Sequence, residues 1–238
     1  MNPVLLPVVA AQGIWLRART EILPPAGGPT TGATPAPPDV STGAVDARPL
    51  RLGVLGESTA AGCGADTHDE GFTGALARAL AERTGRPVDW SVVGQHAATA
   101  RRIRYRLLPQ LEQELDVAVL LAGVNDVLSR RGPQEWRDDL TAIVTDLRAR
   151  AGHVAVTGIP PFDVFPAMPR ALGRYLAQRA ADLDEVARQV CAAQPGAVWV
   201  GPNSLLPPVP EFFARDRFHP SSFGYRRWAG SVAEHLIP

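Results

Sequence analysis

Four short groups of residues carry side chains suited to chemistry. In Gly56-Glu57-Ser58-Thr59-Ala60-Ala61-Gly62 a serine stands between glycines. A tight turn there presents its hydroxyl to a substrate and its backbone N–H, near the start of a following helix, to a developing anion. In Val93-Gly94-Gln95 the glycine lets a backbone N–H approach a ligand closely. In Gly123-Val124-Asn125-Asp126 the Asn125 amide is a donor for an oxyanion. In Asp216-Arg217-Phe218-His219-Pro220 an aspartate and a histidine stand three residues apart, close enough to face one site, and a general base needs such a carboxylate to fix its tautomer. Taken singly, each group also has a plain structural reading: a helix-capping serine, a turn glycine, a polar turn, a loop histidine.

The elements around these groups decide between the readings. Short apolar runs at Leu50–Gly56, Val88–Val93, Asp116–Leu121, His153–Gly158 and Ala197–Val200 read as strands. Between and after them, helical spacing covers Phe72–Thr84, Ala97–Leu115, Pro133–Arg150, Pro169–Ala193 and Ser221–Leu236. Strand and helix alternate five times, the mark of a five-stranded parallel sheet with helical crossovers on both faces. Ligands of such sheets bind at the carboxyl ends of the strands. Three of the four groups directly follow the first three strands, and the fourth precedes the last helix.

In order and placement the four groups together resemble the SGNH hydrolases, also called the GDSL esterase and lipase family. The resemblance covers roughly residues 50–238. It implies a flavodoxin-like α/β/α sandwich of three layers and a metal-free, cofactor-free hydrolysis of esters. Ser58 takes the place of the nucleophile, with Asp216 and His219 as the D-x-x-H pair that assists it. The Ser58 N–H, Gly94 and Asn125 take the places of the oxyanion donors. Two positions depart from the pattern: Glu57 replaces the usual aspartate and keeps a carboxylate, and Val92 stands where an asparagine is often found. The expected activity is hydrolysis of short or medium acyl esters through an acyl-enzyme. A thioesterase or acyltransferase with the same residues, or a binding module that has lost catalysis, are the alternatives.

The remaining features set bounds. The chain has 238 residues, 45% hydrophobic and 20% charged, with 24 basic and 24 acidic side chains. It is long enough to bury a full core, and no global charge draws it to nucleic acid. Two cysteines, Cys63 and Cys191, with no C-x-x-C pair read as free thiols in a reducing compartment, which suggests a cytoplasmic place, with a membrane-associated or secreted one as the alternative. Residues 1–23 read as an apolar helical segment, Val4 to Leu16 being too short to span a bilayer. It is expected to pack on the domain, with weak contact at a membrane surface as the other reading. Residues 24–49, rich in Pro, Gly and Thr, read as an extended linker, and residues 50–238 as the domain. Asp66, His68, Asp69 and Glu70 match no standard metal spacing and read as a solvated loop. Arg101, Arg102, Arg104 and Arg106 read as the solvated side of a helix. The proline-rich segment Pro160–Pro169 follows the fourth strand, so Phe162, Phe165 and Met168 are candidate walls of an acyl pocket.

Overall fold

A computed structural model describes residues 6–38, 48–202 and 209–236. Along the chain run α1 (Leu6–Arg19), β1 (Thr31–Thr34), β2 (Leu50–Gly56), α2 (Phe72–Thr84), β3 (Val88–Gly94), α3 (Ala100–Arg102) and β4 (Leu115–Leu121). Then follow α4 (Val124–Leu128), α5 (Pro133–Arg150), β5 (Ala151–Thr157), α6 (Arg170–Ala192), β6 (Ala197–Val200) and α7 (Ser222–Ala233). The sheet order is β1-β3-β2-β4-β5-β6. Strands β3, β2, β4, β5 and β6 are parallel to one another. Their order is the flavodoxin-like one, with the chain reversing direction across the sheet between β2 and β4.

The apolar runs form strands because both faces of the sheet are covered. In β4, Ala118 and Leu120 join a core built with α5 and α6, whereas Val117, Val119 and Leu121 join a second core built with α2 and α7. This alternation follows from the two-residue period of a strand. Trp136 of α5 is fully buried and donates its indole N–H to the Leu183 carbonyl at 2.9 Å. Phe72 at the start of α2 meets Trp228 of α7, ring centroids 4.7 Å apart. Each such large apolar side chain contributes roughly 1.5–3 kcal/mol by leaving water. Helix α2 stops at Gly85, whose φ of 65° suits a glycine cap, and Ser221 caps α7 by accepting the Gly224 N–H at 3.2 Å.

Two elements differ from the sequence reading. The stretch expected to be only a linker contains β1, which pairs antiparallel with β3 from Thr31 opposite Ser91 to Thr34 opposite Val88. The sheet therefore has six strands among the described residues, not five. Upstream of β1, the Ala26 N–H also donates to the Ala61 carbonyl at 2.9 Å. A four-residue strand flanked by Pro and Gly has too little pattern to be read, and it forms because the edge of β3 offers unpaired backbone groups. The second difference is the helix expected over Ala97–Leu115. Only α3 is α-helical; Ile103–Leu107 winds as a π-turn and Leu108–Gln110 as a 3-10 turn. Pro109 lacks an N–H and its ring crowds the carbonyl four residues back, which ends regular α-helix there.

Helix α1 lies on α6. It buries Val9, and the Gln12 side chain accepts the Leu172 N–H at 2.9 Å. Among the described residues, no helix is long and apolar enough to cross a membrane.

Candidate active site

Strand β2 ends at Gly56, and the chain turns at once, the Ala61 N–H bonding the Glu57 carbonyl at 2.9 Å and the Cys63 N–H bonding the Ser58 carbonyl at 3.0 Å. Ser58 therefore opens a compact turn as expected, but its N–H does not lie at a helix start: α2 begins at Phe72, where the sequence placed it. The turn is braced from β3, where a Cβ on Gly94 would lie 2.3 Å from the Ala61 nitrogen. It is braced also from the loop before α7, where a Cβ on Gly64 would lie 2.2 Å from the Pro220 carbonyl oxygen. Both contacts demand glycine, and Gly64 has a φ of 99° besides.

The loop carrying Asp216 and His219 folds back on itself. Its ends are tied by the Ala214 N–H to the His219 carbonyl at 2.8 Å and by a bridge between Phe213 and Pro220. Arg217 takes a φ of 58°. That lets Asp216 Oδ1 accept the backbone N–H groups of Phe218 and His219, both at 3.0 Å. Asp216 Oδ2 then faces His219 Nδ1 at 2.6 Å, and His219 Nε2 faces Ser58 Oγ at 2.9 Å. All three residues are buried. Burial pushes the Asp216 carboxyl up, but the hydrogen bonds from His219 and Phe218 outweigh it and hold the group below its usual range. The carboxylate is thus charged and fixed against the imidazole, the arrangement that aims a neutral histidine at a hydroxyl.

Asn125 stands across the reversal point of the sheet, at the start of α4. Its backbone N–H donates to Glu57 Oε2 at 3.0 Å and its side-chain amide to the same oxygen at 2.6 Å, while the Val124 N–H reaches Glu57 Oε1 at 3.2 Å. One amide hydrogen of Asn125 remains beyond the bond to Glu57. Glu57 is therefore more than a tolerated replacement: it ties the turn after β2 to the turn after β4. Burial raises its pKa to about 8 against the opposing pull of those N–H groups. No sequence signal marks this pairing, because the partners are 68 residues apart.

A cleft of about 50 Å³ opens beside Ser58 and His219. Phe165 lines it, together with Phe212, Phe218, Trp228 and Pro160. Phe162 and Met168 are not in the lining: Phe162 is fully buried behind Phe165, ring centroids 5.6 Å apart, and Met168 packs on the core. Phe212 and Phe218 escaped the sequence reading, although the aromatic run around Asp216 and His219 was there to suggest them. Of the residues weighed as metal ligands, Asp69 pairs with Arg78 at 2.9 Å, and His68 is buried with its pKa lowered by burial. Arg104 meets Asp139 at 3.2 Å and lies over the Tyr105 ring.

A buried serine, an oriented imidazole and a charged carboxylate beside an apolar cleft at the carboxyl ends of parallel strands can together transfer an acyl group. Comparison with known proteins agrees with that chemistry. The GDSL-like lipase/acylhydrolase family model matches residues 54–227, and the chain belongs to this family. The GDSL-like esterase Rv1075c of Mycobacterium tuberculosis (strain ATCC 25618 / H37Rv) is 30% identical over an alignment of 183 residues that covers 74% of this chain and 58% of that protein. The chain thus spans less than two thirds of that relative's length. Among solved structures, the lipase/acylhydrolase from Enterococcus faecalis superposes with a TM-score of 0.60 at 20% identity, covering 79% of this chain and 98% of its own. TesA superposes with a TM-score of 0.59 at 25% identity, covering 77% of this chain and 96% of its own. These neighbours share the three-layer α/β/α fold.

Proposed function

We propose that the chain hydrolyses carboxylic esters of short or medium acyl chain through an acyl-enzyme on Ser58. His219 Nε2 takes the Ser58 proton as Oγ attacks the ester carbonyl. The oxyanion of the tetrahedral intermediate is held by the Ser58 N–H, the Gly94 N–H and the free amide hydrogen of Asn125. His219 returns the proton to the departing alcohol. A water then gives its proton to His219 and attacks the acyl carbon, and Ser58 leaves with that proton. Asp216 stabilises the imidazolium in both halves. The observation that carries this reading is the unbroken run of hydrogen bonds from Asp216 through His219 to Ser58. The small cleft favours a short acyl group, since about 150 Å³ is what holds a benzene ring in an apolar cavity.

The test is labelling with a fluorophosphonate together with turnover of p-nitrophenyl acetate. Wild type should label once, at Ser58, and Ser58→Ala should neither label nor turn over while melting like wild type. Turnover by a well-folded Ser58→Ala above a few per cent of wild type would overturn the assignment. Relative rates on matched esters and thioesters decide between esterase and thioesterase.

A further inference from the structure

Beside Ser58 lies a grouping that shares His219 with the triad and adds two side chains, Cys63 and His96, that ester hydrolysis does not use. Cys63 Sγ is 3.8 Å from His96 Nδ1, and the ligand atoms of Cys63, His96 and His219 all lie within 4.8 Å of one another. Among the described residues no other cluster of His, Cys, Asp and Glu has metal-binding spacing. We propose that Cys63, His96 and His219 form a zinc site that shuts the enzyme off. In a tetrahedral zinc site, bonds of about 2.3 Å to sulfur and about 2.0–2.1 Å to nitrogen set donor atoms roughly 3.5 Å apart. The Cys63–His96 pair is already near that value at 3.8 Å, and the widest pair, within 4.8 Å, has to close by at most roughly 1.3 Å.

Each donor is held by the surrounding structure. Cys63 closes the Ser58 turn through its N–H, and its carbonyl accepts the Tyr225 hydroxyl at 2.7 Å. His96 follows the end of β3 and its ring centroid lies 6.2 Å from that of His219. It is half-buried, which leaves an approach from solvent. Asp216 occupies Nδ1 of His219, so Nε2 is the nitrogen left to bind, and a carboxylate behind a ligating histidine is the usual support of a zinc site. Thiolate and imidazole are the ligands zinc prefers, and magnesium, a hard cation that takes oxygen, has no claim on them. On binding, the Cys63 S–H loses its proton to solvent and the sulfur bonds the metal; water from the cleft completes the four ligands. A metal on Nε2 removes the lone pair that Ser58 needs, so hydrolysis stops without any change of fold.

The inhibition rests on the proposed esterase reaction; the metal site itself does not. The full chain, freed of metal by EDTA and dialysed, is titrated with zinc chloride while p-nitrophenyl acetate hydrolysis is followed. Cobalt chloride is added in parallel, because a cobalt–thiolate bond gives a charge-transfer band whether or not the protein is an esterase. One zinc per chain by calorimetry, loss of hydrolysis by at least tenfold, and recovery with EDTA are expected, with no effect of magnesium. Cys63→Ala and His96→Ala should hydrolyse like wild type without zinc and need at least tenfold more zinc for the same inhibition. Cys63→Ser serves if Cys63→Ala folds poorly, since the hydroxyl keeps the volume but loses the thiolate. Equal zinc inhibition of wild type and both variants, or absence of a thiolate band with cobalt, would overturn the site.

Discussion

At the scale of single residues, two carboxylates near Ser58 have opposite characters. Asp216 is held charged by its hydrogen bonds, and Glu57 is pushed toward its neutral form by burial. The first difference predicts the ranking of triad variants. His219→Ala should lose roughly 10⁵–10⁶ in kcat, and Asp216→Asn roughly 10⁴, because in the proposed mechanism the histidine moves the proton and the aspartate only orients it. Steady-state kinetics on p-nitrophenyl acetate checks this, and a harmless His219→Ala would remove the triad. The second difference predicts a pH effect on stability. With an ordinary value of 4.5 and a folded value of about 8, Glu57 is protonated in folded and unfolded chain alike below about 4.5. Between about 4.5 and 8 the unfolded chain ionises first, so the contribution of Glu57 to stability falls as pH rises, and it levels off above 8. Melting temperatures across that window should therefore drop for wild type relative to Glu57→Gln; parallel curves for the two would refute the raised pKa. Ser58 and the Asp216–His219 pair were legible in the sequence because each signal sits within four residues. The tie between Glu57 and Asn125 was not, because only folding brings those two turns together.

At the scale of elements, the parallel strands and the long helices were read closely because burial on both faces writes itself as unbroken apolar runs. Strand β1 was missed because four residues beside Pro and Gly carry no such run, and the break after α3 was missed because apolar spacing continued past Pro109. The strand ends do more than carry residues. Strand β3 presses Gly94 against the turn that holds Ser58, and the helix α4 start hangs from Glu57. Gly94→Ala keeps the backbone N–H and adds one methyl group 2.3 Å from the Ala61 nitrogen. It should cost about 1–3 kcal/mol in denaturant melts, as overpacking does, and should lower kcat by displacing Ser58. Wild-type stability and turnover in this variant would mean that the Ser58 turn yields freely, against the packing described.

At the scale of the whole molecule, an aromatic cluster walls the cleft. Phe165 stacks within 4.7 Å of Phe218 and meets Phe213 at 5.9 Å, ring centroid to ring centroid. Specificity constants for p-nitrophenyl esters should peak at a short or medium chain, and Phe165→Ala should move the peak to longer ones. A profile that climbs steadily with length, or one the variant leaves untouched, would take Phe165 out of the account of specificity. The same assembly has a consequence for how activity arises during synthesis. Ser58 leaves the ribosome with the end of β2, but the loop that supplies Asp216 and His219 follows β6, and α7 behind it must dock on α2. At roughly 5–20 residues per second, the 161 residues between Ser58 and His219 keep Ser58 without its hydrogen-bond partner for on the order of ten seconds or more. On the proposed mechanism, the nascent chain stays inert toward esters until the stretch through α7 has been made, and the first turnover would report that β2 and the loop before α7 have met.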